Sequence, residues 1–276
     1  MSAVLGIDVG GSTTKIVGYT AEKKCIGMLK VEAADPVTSA YGALGRFINE
    51  KGLALADVEQ VILTGVGAAL LTQNVYGIPT LRVDEFEAIG LGGLALSGKP
   101  EGLIVSMGTG TAFVRAGREG RLHIGGSGVG GGTLVGLGAQ LCGVKNFRTI
   151  VELAEKGCLD KVDLNIKDIS TTHIATLSPD TTASNFGKME DGFSQADLAA
   201  GLLNLVFQTI GMMAVFACRN DRIKDVVLTG TLTLVPDVRR VFDALETLHD
   251  IRFTIPENAI YATATGAALS YLQKKK

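Results

Sequence analysis

The chain has 276 residues, with 26 Lys and Arg against 28 Asp and Glu, a net charge of −2 and a pI of about 6.0. That balance excludes the basic footprint of a nucleic-acid binder and the polybasic face of a protein held on anionic lipid. Hydrophobic residues make up 46%, enough to core two medium domains, yet Gly, Asp or Thr breaks the apolar runs every few residues, and none is expected to reach the roughly eighteen needed to span a bilayer.

In chain order, strands are expected at Ala3–Val9, Thr14–Thr20 and Cys25–Val31, an antiparallel run closed by Gly10-Gly11 and by Ala21-Glu22-Lys23-Lys24. No basic region precedes the first of them, and the expectation is a cytoplasmic protein. Asp35 as N-cap, Pro36 at the first helical position and Gly52 beyond the last turn predict a helix over 36–51. Val58–Thr64 reads as a strand and Glu85–Leu96 as a helix, which indicates an α/β unit. The pattern then restarts. Gly102–Met107 and Ala112–Ala116 form another glycine-turn hairpin, and Gly125-Gly126-Ser127-Gly128-Val129-Gly130-Gly131-Gly132-Thr133 leads into a helix ending near Cys142. Residues Glu152–Thr182 give few local signals. Ser194–Arg219 is apolar on several faces, with Ser194 as N-cap and Asp197 in the first turn; it reads as a buried helix, in a core or at a dimer contact. Val226–Thr229 is a late strand, Pro236 starts a helix to about Leu248, and Ala262–Gln273 closes the chain as a helix. Cys25, Cys142, Cys158 and Cys218 are widely spaced and have only His123, His173 and His249 for company, so they read as buried thiols.

The two hairpins are the chemical signal. Gly6-Ile7-Asp8-Val9-Gly10-Gly11-Ser12-Thr13-Thr14-Lys15 and Ser106-Met107-Gly108-Thr109-Gly110-Thr111-Ala112 each join two apolar strands. Their glycines allow the backbone to approach a ligand, and the hydroxyls and N–H groups of Ser12, Thr13, Thr109 and Thr111 suit phosphate oxygens. Asp8 offers a hard oxygen for Mg²⁺ and Lys15 a cation for phosphate. One such turn alone equally reads as an ordinary β-hairpin. A third element, Val226-Val227-Leu228-Thr229-Gly230-Thr231, has the form of a strand delivering glycine and hydroxyls to a purine or ribose. There is no Gly-x-x-x-x-Gly-Lys-Ser/Thr and no His-Arg-Asp, which sets aside P-loop and protein-kinase chemistry.

This order of hairpin, hairpin, strand and small-residue helix (Thr265-Gly266-Ala267-Ala268) resembles the actin-like sugar kinase and heat-shock ATPase superfamily over nearly the whole chain. The resemblance implies two actin-like (ribonuclease H-like) α/β domains with a nucleotide cleft between them: residues 1–100 closed by a C-terminal helix over 261–276, and residues 101–260. Within that superfamily three segments look like type II pantothenate kinases. Val83-Asp84-Glu85-Phe86 resembles the segment whose Glu is the catalytic base, which implies that role for Glu85. Gly130-Gly131-Gly132-Thr133 lies at a helix start whose free N–H groups suit phosphate. Ala183-Ser184-Asn185-Phe186-Gly187-Lys188-Met189 is similar to a Ser-x-Phe-Gly segment of the same family.

The family implies ATP, Mg²⁺ and transfer to the primary hydroxyl of pantothenate, the first committed step toward coenzyme A, by a homodimer built on the 194–219 helix. Two positions depart from it. His123 stands where an Arg commonly helps hold the substrate, and Ala112 where a Ser is frequent; an imidazole lacks the forked, permanent charge of a guanidinium. His123, Arg121, Ser106 and Thr109 are the residues expected on the acceptor side. Other readings stay open: a kinase for an amino sugar or similar alcohol, an ATP-driven dehydratase activator, or a nucleotide-binding regulator. Apart from the resemblance, Glu85 reads as a solvated acid beside Asp84 and Glu87, favoured by a helix start.

Overall fold

The computed structural model describes residues 2–32, 35–170, 177–189, 191–221, 223–236 and 238–275; His173 lies outside them. The first half begins with β1 (Ala3–Val9), β2 (Thr13–Thr20) and β3 (Cys25–Glu32), followed by α1 (Pro36–Lys51), β4 (Val58–Thr64), β5 (Thr80–Arg82) and α2 (Glu85–Ser97). The sheet order is β3-β2-β1-β4-β5. The central strand β1 is buried along its length because both its faces are covered. Ala3, Leu5, Ile7 and Val9 pack on Ala40, Ala43, Leu44 and Phe47 of α1. Val4, on the opposite face, belongs with the C-terminal helix and α2. The ends of α1 follow the local code: the Asp35 carboxylate accepts the Thr38 N–H at 2.6 Å, and Gly52 closes the helix at φ 63°.

The second half repeats the plan with β6 (Gly102–Met107), β7 (Thr111–Gly117) and β8 (Gly120–Ser127), then α3 (Gly131–Leu141), α4 (Phe147–Ala154), β9 (Leu164–Asn165), α5 (Ile166–Ile169), β10 (Thr182–Ser184), α6 (Gln195–Asp221), β11 (Asp225–Thr229), α7 (Val238–His249), β12 (Arg252–Thr254) and α8 (Ala262–Lys274). Its sheet runs β12-β11-β6-β7-β8. In each sheet an antiparallel three-strand run (β1-β2-β3, β6-β7-β8) is extended from its first strand by two parallel strands. Its core joins β6 and β11 to α6 and α7, with Phe207 and Phe242 fully buried.

Helix α2 touches both sheets. Its Ile89 packs with Ile104, Val114, Ala116 and Val227 of the second sheet, while Ala88 and Leu91 pack with Val4, Ala264 and Ala268. The small residues of α8 make this possible. A Cβ on Gly266 would lie 1.8 Å from the Ala88 carbonyl oxygen, and one on Gly92 1.7 Å from that of Ala262, so α2 and α8 cross backbone to backbone.

Several elements differ from expectation. Strand β8 is not among the expected elements, and the first two glycines of the run that leads into α3 belong to it, because β7 pairs with Gly125 and Gly126 at Phe113 and Ala112. The helix expected from Pro236 is present as α7, described over Val238–His249, and residue 237 lies outside the described residues. Cys142 and Cys218 are buried thiols, but Cys25 and Cys158 are exposed. Among the described residues one stretch, Gln195–Arg219, is long and apolar enough to cross a membrane by length and composition, against the expectation of none; 72% of an 18-residue apolar window within it is buried inside the fold. Its buried Asp197 and Asn204 have partners there. Asp197 accepts N–H bonds from Cys158 (2.6 Å) and Ser194 (2.7 Å), and Asn204 donates to Asp163 at 2.7 Å.

Candidate active site

The side chains of a directly opposed cross-strand pair lie on one face of a sheet. Register therefore places Thr64 of β4, Asp8 of β1, Lys15 of β2 and Lys30 of β3 in one row across the first sheet. That face is the one turned toward α2 and α8, since it is shared with Val4. Asp8 and Lys15 are both buried, with Lys15 Nζ 3.6 Å from Asp8 Oδ2. Burial pushes the Asp8 carboxyl up, and the Lys15 ammonium opposes that shift. Beyond Thr64 the chain turns at Gly65, φ 88°, where a Cβ would stand 2.6 Å from Asp8 Oδ1. Gly65 thus lets β4 close directly over the carboxylate.

Glu85 opens α2. Asp84 caps the helix by accepting the N–H groups of Phe86 (2.9 Å) and Glu87 (3.0 Å), which fixes the turn that carries Glu85. Burial raises the Glu85 carboxyl above the usual range, the negative charges of Asp8 and Asp84 add to the rise, and Lys15 counters it. Glu85 therefore shares an electrostatic environment with the Asp8–Lys15 pair, although 77 positions separate Glu85 from Asp8 in sequence.

A cleft of about 1070 Å³ opens along this row. It is lined by Asp8, Lys15 and Glu85, by Gly10, Gly11, Ser12 and Thr13 of the first hairpin, and by Ser106, Gly108, Thr109, Gly110, Thr111 and Ala112 of the second. Gly131, Gly132, Gly230 and His123 complete the set of expected residues on its wall. The hairpins face each other: the position a Cβ would take on Gly11 is 3.7 Å from Thr109 Oγ1.

Two expected residues do not line the cleft. Gly130 is buried behind the second hairpin, where a Cβ would lie 2.6 Å from the Thr109 carbonyl oxygen. Arg121 pairs with Glu87, Nη1 to Oε1 at 3.3 Å. The triple glycine also corrects the expectation of free N–H groups at a helix start. Gly131 N–H donates to the Gly108 carbonyl at 2.9 Å, Gly132 N–H to that of Thr109 at 2.8 Å, and Gly130 N–H to Thr133 Oγ1 at 3.1 Å. The Gly131 and Gly132 donors hold the second hairpin to α3. Likewise Thr111 Oγ1 donates to the Val129 carbonyl at 2.8 Å. The Ser184-Asn185-Phe186-Gly187 segment lies outside the lining and serves a buried carboxylate. Asp163, with no exposed surface, accepts from Phe186 N–H (2.8 Å), Asn185 Nδ2 (3.1 Å) and Asn204 Nδ2.

The cleft also has walls that sequence reasoning missed, including Lys30, Phe86, Asn146, Phe147 and Thr263. Asn146 carried a local signal, since its side chain caps α4 by accepting the Thr149 N–H at 3.1 Å. Lys30 carried none, because only the β2–β3 register sets it opposite Lys15. Phe86 stacks flat on His123, ring centroids 3.7 Å apart and planes inclined by 6°.

The family model Fumble matches residues 101–241. A type II pantothenate kinase of Bacillus cereus (strain G9842) is 28% identical over 241 residues, which cover 84% of each chain. Among solved structures, component A of the (R)-2-hydroxyglutaryl-CoA dehydratase of Acidaminococcus fermentans aligns with a TM-score of 0.68 at 20% identity, covering 99% of both chains. The activator of the 2-hydroxyisocaproyl-CoA dehydratase from Clostridium difficile, solved with bound ADPNP, aligns at 0.67 and 18% identity, covering 99% of this chain and 95% of the other. The structural likenesses are likenesses of fold: a mixed α/β chain of two actin-like halves.

Proposed function

The chain belongs to the Fumble family, and from that premise we propose that it is a kinase transferring the γ-phosphoryl group of ATP to the primary hydroxyl of pantothenate, a step of coenzyme A biosynthesis. The observation that supports this most is the Glu85 carboxylate, raised in pKa, beside the buried Asp8–Lys15 pair in a cleft faced by two hairpins.

Phosphoryl transfer asks a protein mainly for placement and charge compensation. In this reading the phosphates lie across Gly10, Gly11, Ser12 and Thr13 on one side and Gly108, Thr109, Gly110 and Thr111 on the other, with Gly131, Gly132 and Gly230 on the nucleotide's wall. Glu85 accepts the hydrogen bond of the acceptor hydroxyl, orients its oxygen, and takes its proton late in the transfer. A carboxylate made more basic by burial suits that task. Lys15 balances Asp8 and the transferring charge. The donor set at Asp8 fits Mg²⁺. Asp8 is a buried carboxylate on the cleft wall beside both hairpins, a hard-oxygen donor suited to an ion whose remaining ligands would be water and phosphate oxygens. Mg²⁺ bound there would neutralise charge on the β- and γ-phosphate oxygens. Closure of the cleft would exclude water and suppress hydrolysis of ATP.

The reading further places the enzyme in the cytoplasm, without nucleic-acid or membrane partners. It also makes the protein a homodimer through the 194–219 helix, where Phe216 is 55% exposed and lies under the Arg219 guanidinium.

The test is ADP release by purified protein with Mg²⁺ and ATP, comparing pantothenate, N-acetylglucosamine, other sugars and no acceptor. Pantothenate-dependent turnover that falls by about 10³-fold in Glu85→Gln, with ATP binding retained, is the expected result. Near-normal turnover in Glu85→Gln contradicts the mechanism, and silence with pantothenate alone replaces the acceptor.

A further inference from the structure

Two side chains of β8 grip the first turn of α2 immediately after Glu85. The His123 ring lies flat on Phe86, centroids 3.7 Å apart, and Arg121 Nη1 stands 3.3 Å from Glu87 Oε1. Residues 121 and 123 are two apart on a strand and so share a face. They are anchored by β7 at Ala116 and Val114. One turn further along α2 the helix makes room for the arginine stem: a Cβ on Gly90 would lie 2.5 Å from Arg121 Cγ. Arg121 Nε is buried there without a hydrogen-bond partner, so the guanidinium is held in place by its packing and by Glu87, at the expense of one donor.

The consequence concerns which half places Glu85. Asp8 and Lys15 belong to the first sheet, whereas β8 belongs to the second. We propose that Arg121 and His123 are positioning residues for Glu85: they clamp the first turn of α2 to the second sheet so that the carboxylate stands over the Asp8–Lys15 row. This rests on the reading of Glu85 as the base. It assigns to both residues a role through Phe86 and Glu87 rather than a grip on the acceptor. His123 acts with the face of its ring, and Arg121 with its charge and its stem.

Kinetics separate the two roles, since a positioning residue moves kcat and a ligand of the acceptor moves its KM. His123→Phe keeps a flat ring and removes both nitrogens; His123→Ala removes the ring. The clamp predicts that His123→Ala and Arg121→Ala lower kcat about tenfold or more, with KM for ATP and acceptor within about threefold of the parent. His123→Phe keeps most of kcat, Arg121→Lys restores part of it, and Arg121→Ala with Glu87→Ala together are no worse than either alone. A rise in acceptor KM that is as large in His123→Phe as in His123→Ala overturns the proposal, as does unchanged kcat in both alanine variants.

Hydrogen exchange at the amides of Phe86 to Ile89 in the full-length protein gives a readout that needs no acceptor. Faster exchange in His123→Ala and Arg121→Ala, but not in His123→Phe, supports the clamp even where the wild type ignores pantothenate, an outcome that refutes the acceptor reading alone. Exchange unchanged in the alanine variants refutes the clamp while leaving the kinase reading intact.

Discussion

Position by position, the two sheets put different chemistry on one scaffold. Asp8 corresponds to Ser106, Lys15 to Ala112, Lys30 to Gly126 and Thr64 to Thr229, each set forming a cross-strand row at the same distance from its hairpin. The correspondence extends past the strand ends: Gly65 and Gly230 both have φ 88° and both open a short 3-10 turn. The first row holds a buried carboxylate and two lysines, while the second holds hydroxyls, a methyl group and a bare glycine. A repeated backbone thus divides the work, with charge concentrated on one wall and room made on the other. The same contrast explains why Gly65 matters beyond its backbone angle. A side chain there meets Asp8, whereas one on Gly230 meets only backbone, 2.5 Å from the Met107 carbonyl oxygen.

The contrast can be broken most severely at those glycines. Gly65→Ala is expected to lower turnover about 10²-fold or more by displacing Asp8, on top of a stability loss of about 1–3 kcal/mol from the forbidden φ. Gly230→Ala shares the stability loss and retains more activity; melting curves beside steady-state rates separate the two effects. Next comes Gly266→Ala, which forces apart the α2–α8 crossing that seats Glu85 and costs about 3 kcal/mol or more, read as a lowered denaturation midpoint. Lys15→Ala leaves Asp8 buried without its counter-charge, and turnover drops about 10-fold to 10²-fold; the corresponding change in the second row, Ala112→Ser, stays within about threefold.

The smallest effect belongs to the helix caps. Asp197 of α6 is buried and accepts three hydrogen bonds from Cys158 and Ser194, so Asp197→Ala costs about 1–3 kcal/mol in chemical denaturation. These bonds hold its carboxyl at about 2, below the ordinary 3.8. A group whose pKa is depressed by folding stabilises the fold fully above its unfolded value. The difference between Asp197→Ala and the parent is therefore complete above about pH 4 and closes as pH falls through about 2.

Much of this architecture was legible locally. The helix over 36–51 followed from Asp35, Pro36 and Gly52, and β1 and β4 from continuous apolar runs between turn residues. Strand β8 was not legible, because Gly125 and Gly126 have no preference for extended structure and are held there by β7. The site divides in the same way. Asp8, Lys15 and the glycine hairpins announce themselves over ten residues, and Glu85 was found through a family resemblance. What escaped depends on register: Lys30 opposite Lys15, Phe86 against His123, and Arg121 spent on Glu87. The Gly131 and Gly132 donors show the converse, since a local pattern suited to phosphate is occupied by the carbonyls of a hairpin some twenty residues earlier.

The division of labour between the rows is tested most directly by one measurement: pantothenate-dependent ADP release by Asp8→Ala and Ser106→Ala, residues at equivalent positions of the two sheets. Asp8→Ala is predicted to fall to the no-acceptor background, and Ser106→Ala to stay within about tenfold of the parent. Equal loss in both, or substantial turnover in Asp8→Ala, would contradict the assignment of the charge chemistry to the first sheet.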